Sequence, residues 1–239
     1  MEPRRASEKQ AVQGQGAAMT LSRVVSPFDA PAYLERCENL FQVLRANLPW
    51  SQMHYILDLG CGSGEMGHLF RSAHKTVMSV DGRYENIERL VVQDYFALCR
   101  DVHEPLPMSL TADLVLCLGL LYHSEDPMRI LENCARAAPI ICVETLCMDQ
   151  EGIYFLSFQE ETERIDQSLD GGCCRFSPAW LERALKRVGY QRIEDVSQQV
   201  KTVEGDGFHQ GFRYDWEFRN TGDSYRDGYG LRKLWIAYK

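Results

Sequence analysis

The sequence predicts an α/β fold in which a doubly wound, mostly parallel sheet is covered by helices on both faces. Three observations predict it. Short apolar segments of strand length alternate with helical stretches between residues 55 and 144. The first of these segments runs directly into a glycine-rich loop and then a helix. Each segment, moreover, ends on a polar residue or a glycine.

Taken in order, residues 1–22 are rich in Ala, Gln, Gly and charge without periodicity, which predicts a disordered tail ahead of one domain over 23–239. From Pro31, the pattern AYLERCENLFQVLRANL sets Tyr33, Leu34, Cys37, Leu40, Phe41 and Leu44 at spacings of three and four. That is an amphipathic helix over 31–48, expected on the domain edge or over a cleft. The first strand, 55–59, leads into Gly60-Cys61-Gly62-Ser63-Gly64 and a helix to about residue 72. A second strand, 76–80, ends at Asp81, and a third, around 95–99, ends at Asp101, with a helix over 85–92 between them. The fourth, 114–118, leads to Gly119, Tyr122 and His123; after a helix over 127–137 the fifth, 139–143, ends at Glu144.

Residues 146–176 break the alternation and are too long for an ordinary connection, so they are expected to form a lid or substrate-shaping insertion. Ser177-Pro178 starts a helix to about 188, with Gly189 as its C-terminal stop. Residues 191–200 and 231–238 read as strands. Between them 208–229 is an aromatic insertion, either an extended hairpin or part of a substrate wall.

Composition narrows the function. The chain has 239 residues, 45% hydrophobic and 25% charged, with a formal net charge of −8, which weighs against a nucleic-acid backbone as the main partner. No apolar run approaches the roughly 18 residues that span a bilayer, and the first residues contain no secretory h-region, so a cytoplasmic protein is expected. The nine cysteines are odd in number, and Cys99, Cys117, Cys134 and Cys142 lie within apolar stretches, which predicts reduced core thiols. Cys173 and Cys174 are too close for an unstrained bridge, and with no zinc-like spacing of Cys and His no structural metal is expected.

In an open α/β sheet, ligands bind beyond the carboxyl ends of the strands, where the polar residues named above fall. The loop needs glycine because its backbone must turn sharply and approach a ligand without Cβ atoms in the way. Asp81, about 20 residues on, is placed to accept hydrogen bonds from ribose hydroxyls. The competing pattern is G-x-G-x-x-G, satisfied by residues 62–67, which would make the chain a nicotinamide oxidoreductase. Its register counts against it, because the strand ends at Leu59 and Gly60 comes next. Asp58, too, suits an ammonium or a loop N–H better than a pyrophosphate.

These segments carry a resemblance. ILDLGCGSGEMG resembles motif I of class I S-adenosylmethionine-dependent methyltransferases, Val80-Asp81-Gly82-Arg83 their acidic second motif, and Arg100-Asp101-Val102 their third. LVLCLGLLYHSEDP, residues 114–127, is similar to the fourth-strand segment of the branch containing the tRNA wobble-uridine methyl and carboxymethyl transferases. The resemblance covers about residues 54–145. It implies a Rossmann-like, seven-stranded sheet whose last strand, 231–238, is antiparallel. It implies S-adenosylmethionine as cofactor, with the backbone around Gly60, Cys61, Gly62 and Gly64 holding its methionine part. Asp58 belongs to that motif; Asp81, flanked by Gly82 and Arg83, would hold the ribose, Asp101 would face the adenine amino group beside Val102, and Leu118 and Gly119 would flank the sulfonium. No motif locates residues that select a carboxylated cofactor, so ordinary S-adenosylmethionine is the expectation.

Methyl transfer from a sulfonium needs an aligned nucleophile and exclusion of water. A hydroxyl nucleophile also benefits from a base, and His123 is the candidate, against a reading in which it only fixes the loop. Glu144 is read either as orienting an amine or hydroxyl, or as hydrogen-bonded to loop backbone. Tyr122 is read as wall more than catalyst. The alternation Phe208, Phe212, Tyr214, Trp216, Phe218 reads first as a buried strand face and second as a substrate wall, with His209 a weaker contact candidate. The leading function is methylation of oxygen or nitrogen in a small molecule. The alternatives are a tRNA-modifying enzyme and a non-catalytic methyltransferase-like module.

Overall fold

The structure is a computed structural model describing residues 26–107, 110–162 and 164–239, so the predicted tail over 1–22 lies outside the described residues. Helix α1, Pro31–Asn47, begins on a proline whose fixed φ suits a first helical turn. Its N-cap, Ala30, has no side chain to offer, and the Asp206 carboxylate takes that role by accepting from the Ala32 N–H at 3.0 Å. The central alternation then runs β1 Tyr55–Leu59, α2 Glu65–Ser72, β2 Thr76–Asp81, α3 Tyr84–Val92, β3 Ala97–Cys99, β4 Leu114–Leu118, α4 Pro127–Ala137 and β5 Ile140–Leu146.

The near-continuous apolar character of these strands is explained by burial on both faces. In β4, Leu114 and Leu116 pack toward α1 and α2, while Val115 and Cys117 pack toward α4 and α5, the helix Pro178–Arg187. The same period of two divides Cys142 from Ile141 and Val143 in β5. Helix α5 starts where predicted: Ser177 Oγ accepts from the Trp180 N–H, Pro178 follows, and Gly189 at φ +112° ends the turn.

The insertion over 146–176 forms a separate hairpin, β6 Leu156–Glu160 with β7 Gly172–Phe176. The remaining strands are β8 Arg192–Asp195, β9 Val203–Glu204, β10 Gly211–Arg213 and β11 Gly230–Tyr238. The last strand is antiparallel to β5, as the resemblance implied. The count is not: among the described residues the main sheet has nine strands rather than seven, in the order β3-β2-β1-β4-β5-β11-β10-β9, with β8 also on β11. The reason is length. Strand β8 covers only Trp235–Tyr238 of the nine-residue β11, and β10 pairs in parallel with the uncovered Gly230 and Leu231. The aromatic insertion is thus not a hairpin of its own. It donates one short strand, and its rings divide between the core, where Phe212, Tyr214 and Trp216 are buried, and a cleft wall to which Phe208 and an edge of Phe212 contribute.

All nine cysteines are free. Cys117, Cys134 and Cys142 are buried in the core as expected, whereas Cys99, placed at the open edge of the sheet on the three-residue β3, is exposed.

Candidate active site

The order β3-β2-β1-β4-β5 reverses direction between β1 and β4, and the main cleft, about 590 Å³, opens beyond the carboxyl ends of these strands. The glycine loop after β1 is pinned to the end of β2. The Gly60 and Cys61 N–H groups donate to the Val80 carbonyl at 2.8 and 3.1 Å, and the Gly62 N–H donates to Asp81 Oδ2 at 2.9 Å. Gly64 closes the turn at φ +81°, where a Cβ would overlap Leu90 Cδ2 of α3. Asp81 Oδ1 accepts from the Arg83 N–H at 2.8 Å and Asn86 Nδ2 at 3.1 Å. Burial raises the Asp81 carboxyl, and these three donors oppose that rise.

At the end of β3, Asp101 Oδ1 accepts from the His103 N–H at 2.9 Å and pairs with His103 Nδ1 at 2.8 Å, while His103 Nε2 meets Ser124 Oγ at 2.6 Å. Burial acts to raise Asp101, but its hydrogen bonds to His103 dominate and lower it. Asp101 Oδ2 has no protein partner among the described residues.

Past β4, Leu118, Gly119, Tyr122 and His123 line the cleft. His123 Nδ1 lies 2.7 Å from Oε2 of Glu161, whose same oxygen accepts from the Ser168 N–H at 2.9 Å. Burial acts to raise Glu161; its hydrogen bond to His123 leads the effects that lower it. The far wall is faced with arginine. Arg36 of α1 and Arg232 of β11 both reach Glu144, at 2.5 Å for Arg36 Nη2 and at 3.0 and 3.2 Å for Arg232 Nη1. Tyr214 donates to Glu144 at 2.8 Å, and Arg232 Nη2 donates to the Tyr122 hydroxyl at 3.1 Å. Burial would raise Glu144, yet Arg232 and Arg36 outweigh it and bring the carboxyl down to about 2.

The structure therefore brings most of the residues singled out in the sequence to one cleft. Gly60, Gly62, Asp81, Gly82, Arg83, Asp101, Val102, Leu118 and Gly119 line one end, with Tyr122 and His123 farther along. Four do not line it. Asp58, its carboxyl raised to about 7 by burial against the pull of Arg71, lies beneath the loop. Cys61 packs with Ile87 and Leu90, Gly64 abuts that same cluster, and Glu144 is fully buried behind its arginines. Glu144 is thus saturated by guanidinium and phenol donors, which replaces both the substrate-orienting and the loop-backbone readings. Arg36, His103, Glu161, Arg175 and Arg232 line the cleft without having been singled out. For Arg36 and Arg232 a signal existed, since each is a charge set into an otherwise apolar face of its element.

Comparison with known proteins agrees with this geometry. A family model described as "Methyltransferase domain" matches residues 28–195. The tRNA U34 carboxymethyltransferase of Campylobacter curvus is 24% identical over 165 residues, 64% of this chain and 55% of that one. The chain spans about half the length of the curated relatives it matches. Among solved structures, the N-terminal domain of EvdMO1 with SAH bound is similar with a TM-score of 0.61 at 18% identity, over 86% of this chain and 80% of that one. The 1,6-didemethyltoxoflavin-N1-methyltransferase of Burkholderia thailandensis gives 0.55 at 16% identity, over 87% and 79%. With the family model covering well over half of its length and the cleft at the switch point of the sheet, the chain belongs to the methyltransferase-domain family.

Proposed function

We infer that the chain transfers a methyl group from S-adenosylmethionine to an oxygen or nitrogen of a small molecule. The observation that carries the cofactor is the set of acceptors left open around Asp81. Its carboxylate is fixed by three protein donors, and the buried Oδ1 of neighbouring Asn86 has no partner among the described residues. Acceptors held in this way fit a ribose diol. Asp101 Oδ2 fits an exocyclic amine, and the Gly60 and Gly62 backbone offers a surface without Cβ atoms. When bound, the cofactor supplies a methyl group on a sulfonium.

The chain's own residues would do the rest. The Glu161 carboxylate accepts a hydrogen bond from the Nδ1–H of His123, which holds the neutral ring in the tautomer whose Nε2 lone pair can accept a proton from an acceptor hydroxyl or amine. The segment around the β6–β7 hairpin, which supplies Glu161 and Arg175, walls the cleft and excludes water. A small acceptor is supported by this enclosure, by the net charge of −8, and by the Burkholderia neighbour, whose structure holds 1,6-didemethyltoxoflavin and S-adenosylhomocysteine. The curated relatives favour a second reading, modification of tRNA, which predicts binding that weakens steeply with salt.

Calorimetry with S-adenosylmethionine and S-adenosylhomocysteine tests the cofactor. Binding of about −8 kcal/mol, micromolar, that collapses in Asp81→Ala is expected. No binding of either ligand sinks the reading. Turnover with small-molecule acceptors, falling about a hundredfold or more in His123→Gln, tests the base; salt-sensitive turnover of tRNA alone would move the second reading ahead.

A further inference from the structure

Among the described residues, the charges on the far wall do not balance. Arg36, Arg175 and Arg232 contribute three positive charges, and Glu144 and Glu161 two negative ones, with each side chain no more than 9% exposed. The arrangement is also one-sided. Both guanidiniums that share Glu144 line the cleft, while the carboxylate sits behind them. Phe212 lies between them, its centroid 5.2 Å from Arg36 Cζ and 5.1 Å from Arg232 Cζ. Arg175 is held mainly by backbone carbonyls, with Nη1 2.8 Å from that of Cys174. Its contact with Glu161 is a long 3.8 Å, and its buried Nε has no partner among the described residues.

A buried guanidinium in excess over its carboxylates is costly unless a counter-charge joins it. Burial alone would lower Arg36 and Arg232, but Glu144 holds both above the ordinary arginine value, so neither loses its proton. The excess charge also borders the reacting end of the cleft. At Gly119, φ +75°, a Cβ would stand 3.1 Å from Arg36 Nη2, so glycine there lets the guanidinium approach the end of β4.

We propose that the methyl acceptor carries a carboxylate, bound by the cleft-facing guanidiniums of Arg36 and Arg232 beside Gly119. Arginine suits this group because its planar donors match two carboxylate oxygens. The inference rests on the small-molecule methyltransferase reading above. With ordinary S-adenosylmethionine as cofactor, a carboxylate can reach this wall from two sources, the acceptor or the methionine part of the cofactor, and the proposal commits to the acceptor.

The test uses the full chain, saturated with S-adenosylhomocysteine, and compares benzoate and 3-phenylpropanoate with their uncharged amides by calorimetry. The acids are expected to bind at least tenfold more tightly. Equal binding of acid and amide would overturn the proposal. Arg232→Gln leaves Arg36 and Glu144 as a one-to-one pair, so the fold should survive, and the preference for acids should vanish. Cofactor dissection separates the two sources: S-adenosylhomocysteine and 5′-methylthioadenosine differ by the amino-acid part that bears the carboxylate. If Arg232→Gln leaves their affinity ratio within about twofold, the charge serves the acceptor. If the ratio collapses toward one, it serves the cofactor and the proposal is wrong. Should S-adenosylhomocysteine fail to bind wild-type protein, the methyltransferase reading fails first, and the acid-against-amide comparison without it still reads the anion site.

Discussion

The end of the cleft around Gly60, Gly62, Asp81 and Asp101 is assembled from successive strand ends, whereas the end around Arg36, Glu144 and Arg232 joins distant segments, as where Arg36 meets Tyr214, 178 residues on. The first is built largely from backbone. Its N–H groups, turned by glycines, are pinned to the next strand, and its carboxylates each hold a donor two residues on in the chain. The second is built from charged side chains buried against one another, with no local pattern connecting them. The difference teaches that the end proposed to hold the cofactor is specified locally, while the end proposed to hold the acceptor depends on the completed sheet. In energetic terms, damage to the first should act through strain and lost ligand contacts, and damage to the second through uncompensated charge.

The largest effect is expected at Glu144. Glu144→Ala strands two buried guanidiniums and should cost about 3–5 kcal/mol of stability, read as a drop in the urea midpoint. The same pair makes stability depend on pH. Because the folded carboxyl is depressed to about 2 from the usual 4.5, its contribution is full above about pH 4.5 and is lost as pH falls toward 2. At 1.36 kcal/mol per unit, that contribution is about 3 kcal/mol. Urea titrations of wild type and Glu144→Gln at pH 7, 5 and 3 should therefore converge as pH falls. A constant gap would mean that Glu144 is not ionised by its arginines.

The next effect breaks the local end. Gly64→Ala places a side chain at φ +81° and into Leu90, which together should cost about 2–4 kcal/mol. Stability within 0.5 kcal/mol of wild type would show that the loop is not held in this conformation. It was this end that the sequence made legible. Strand, glycine loop, Asp81 and Asp101 follow one another at fixed spacings because each is fastened to its chain neighbour or to the adjacent strand. Burial of both sheet faces likewise wrote the core strands as apolar runs. The arginine wall was not legible as a site, because Glu144 looked like one more polar strand end until α1 and β11 were set beside it. Glu161 carried no signal at all, being one acidic residue among several in an irregular insertion. Of the two extra strands, β9 was hidden because two residues of pairing leave no periodicity to read, whereas β10 lies within the aromatic alternation read as a strand face, of which only Gly211–Arg213 forms a strand.

A smaller effect is expected where the two ends meet. Glu161 touches neither cofactor nor acceptor in the proposed mechanism; it positions His123. Glu161→Gln should lower kcat roughly ten- to hundredfold, a fraction of what a general base supplies, while leaving KM and S-adenosylhomocysteine affinity near wild type. Glu161→Asp, which restores the carboxylate, should recover part of the loss. An equal fall in kcat for both variants, or a tenfold rise in KM, would move Glu161 from positioning to wall structure.

The smallest effect discriminates most finely between the two ends. The Tyr214 hydroxyl donates to Glu144 and accepts from Arg36 Nε at 3.3 Å, so it trims the charged cluster without carrying its charge. Tyr214→Phe leaves both guanidiniums on the carboxylate and should cost only about 1 kcal/mol. Its value lies in double-mutant cycles. Combined with Glu144→Gln it shares a partner, and the pair should couple by about 0.5 kcal/mol or more. Combined with Gly64→Ala it shares none, and the two costs should add to within about 0.5 kcal/mol. Coupling in the second cycle as large as in the first would mean that the cofactor end and the arginine wall are one cooperative unit, and the division between a locally specified end and one assembled by the finished sheet would fail.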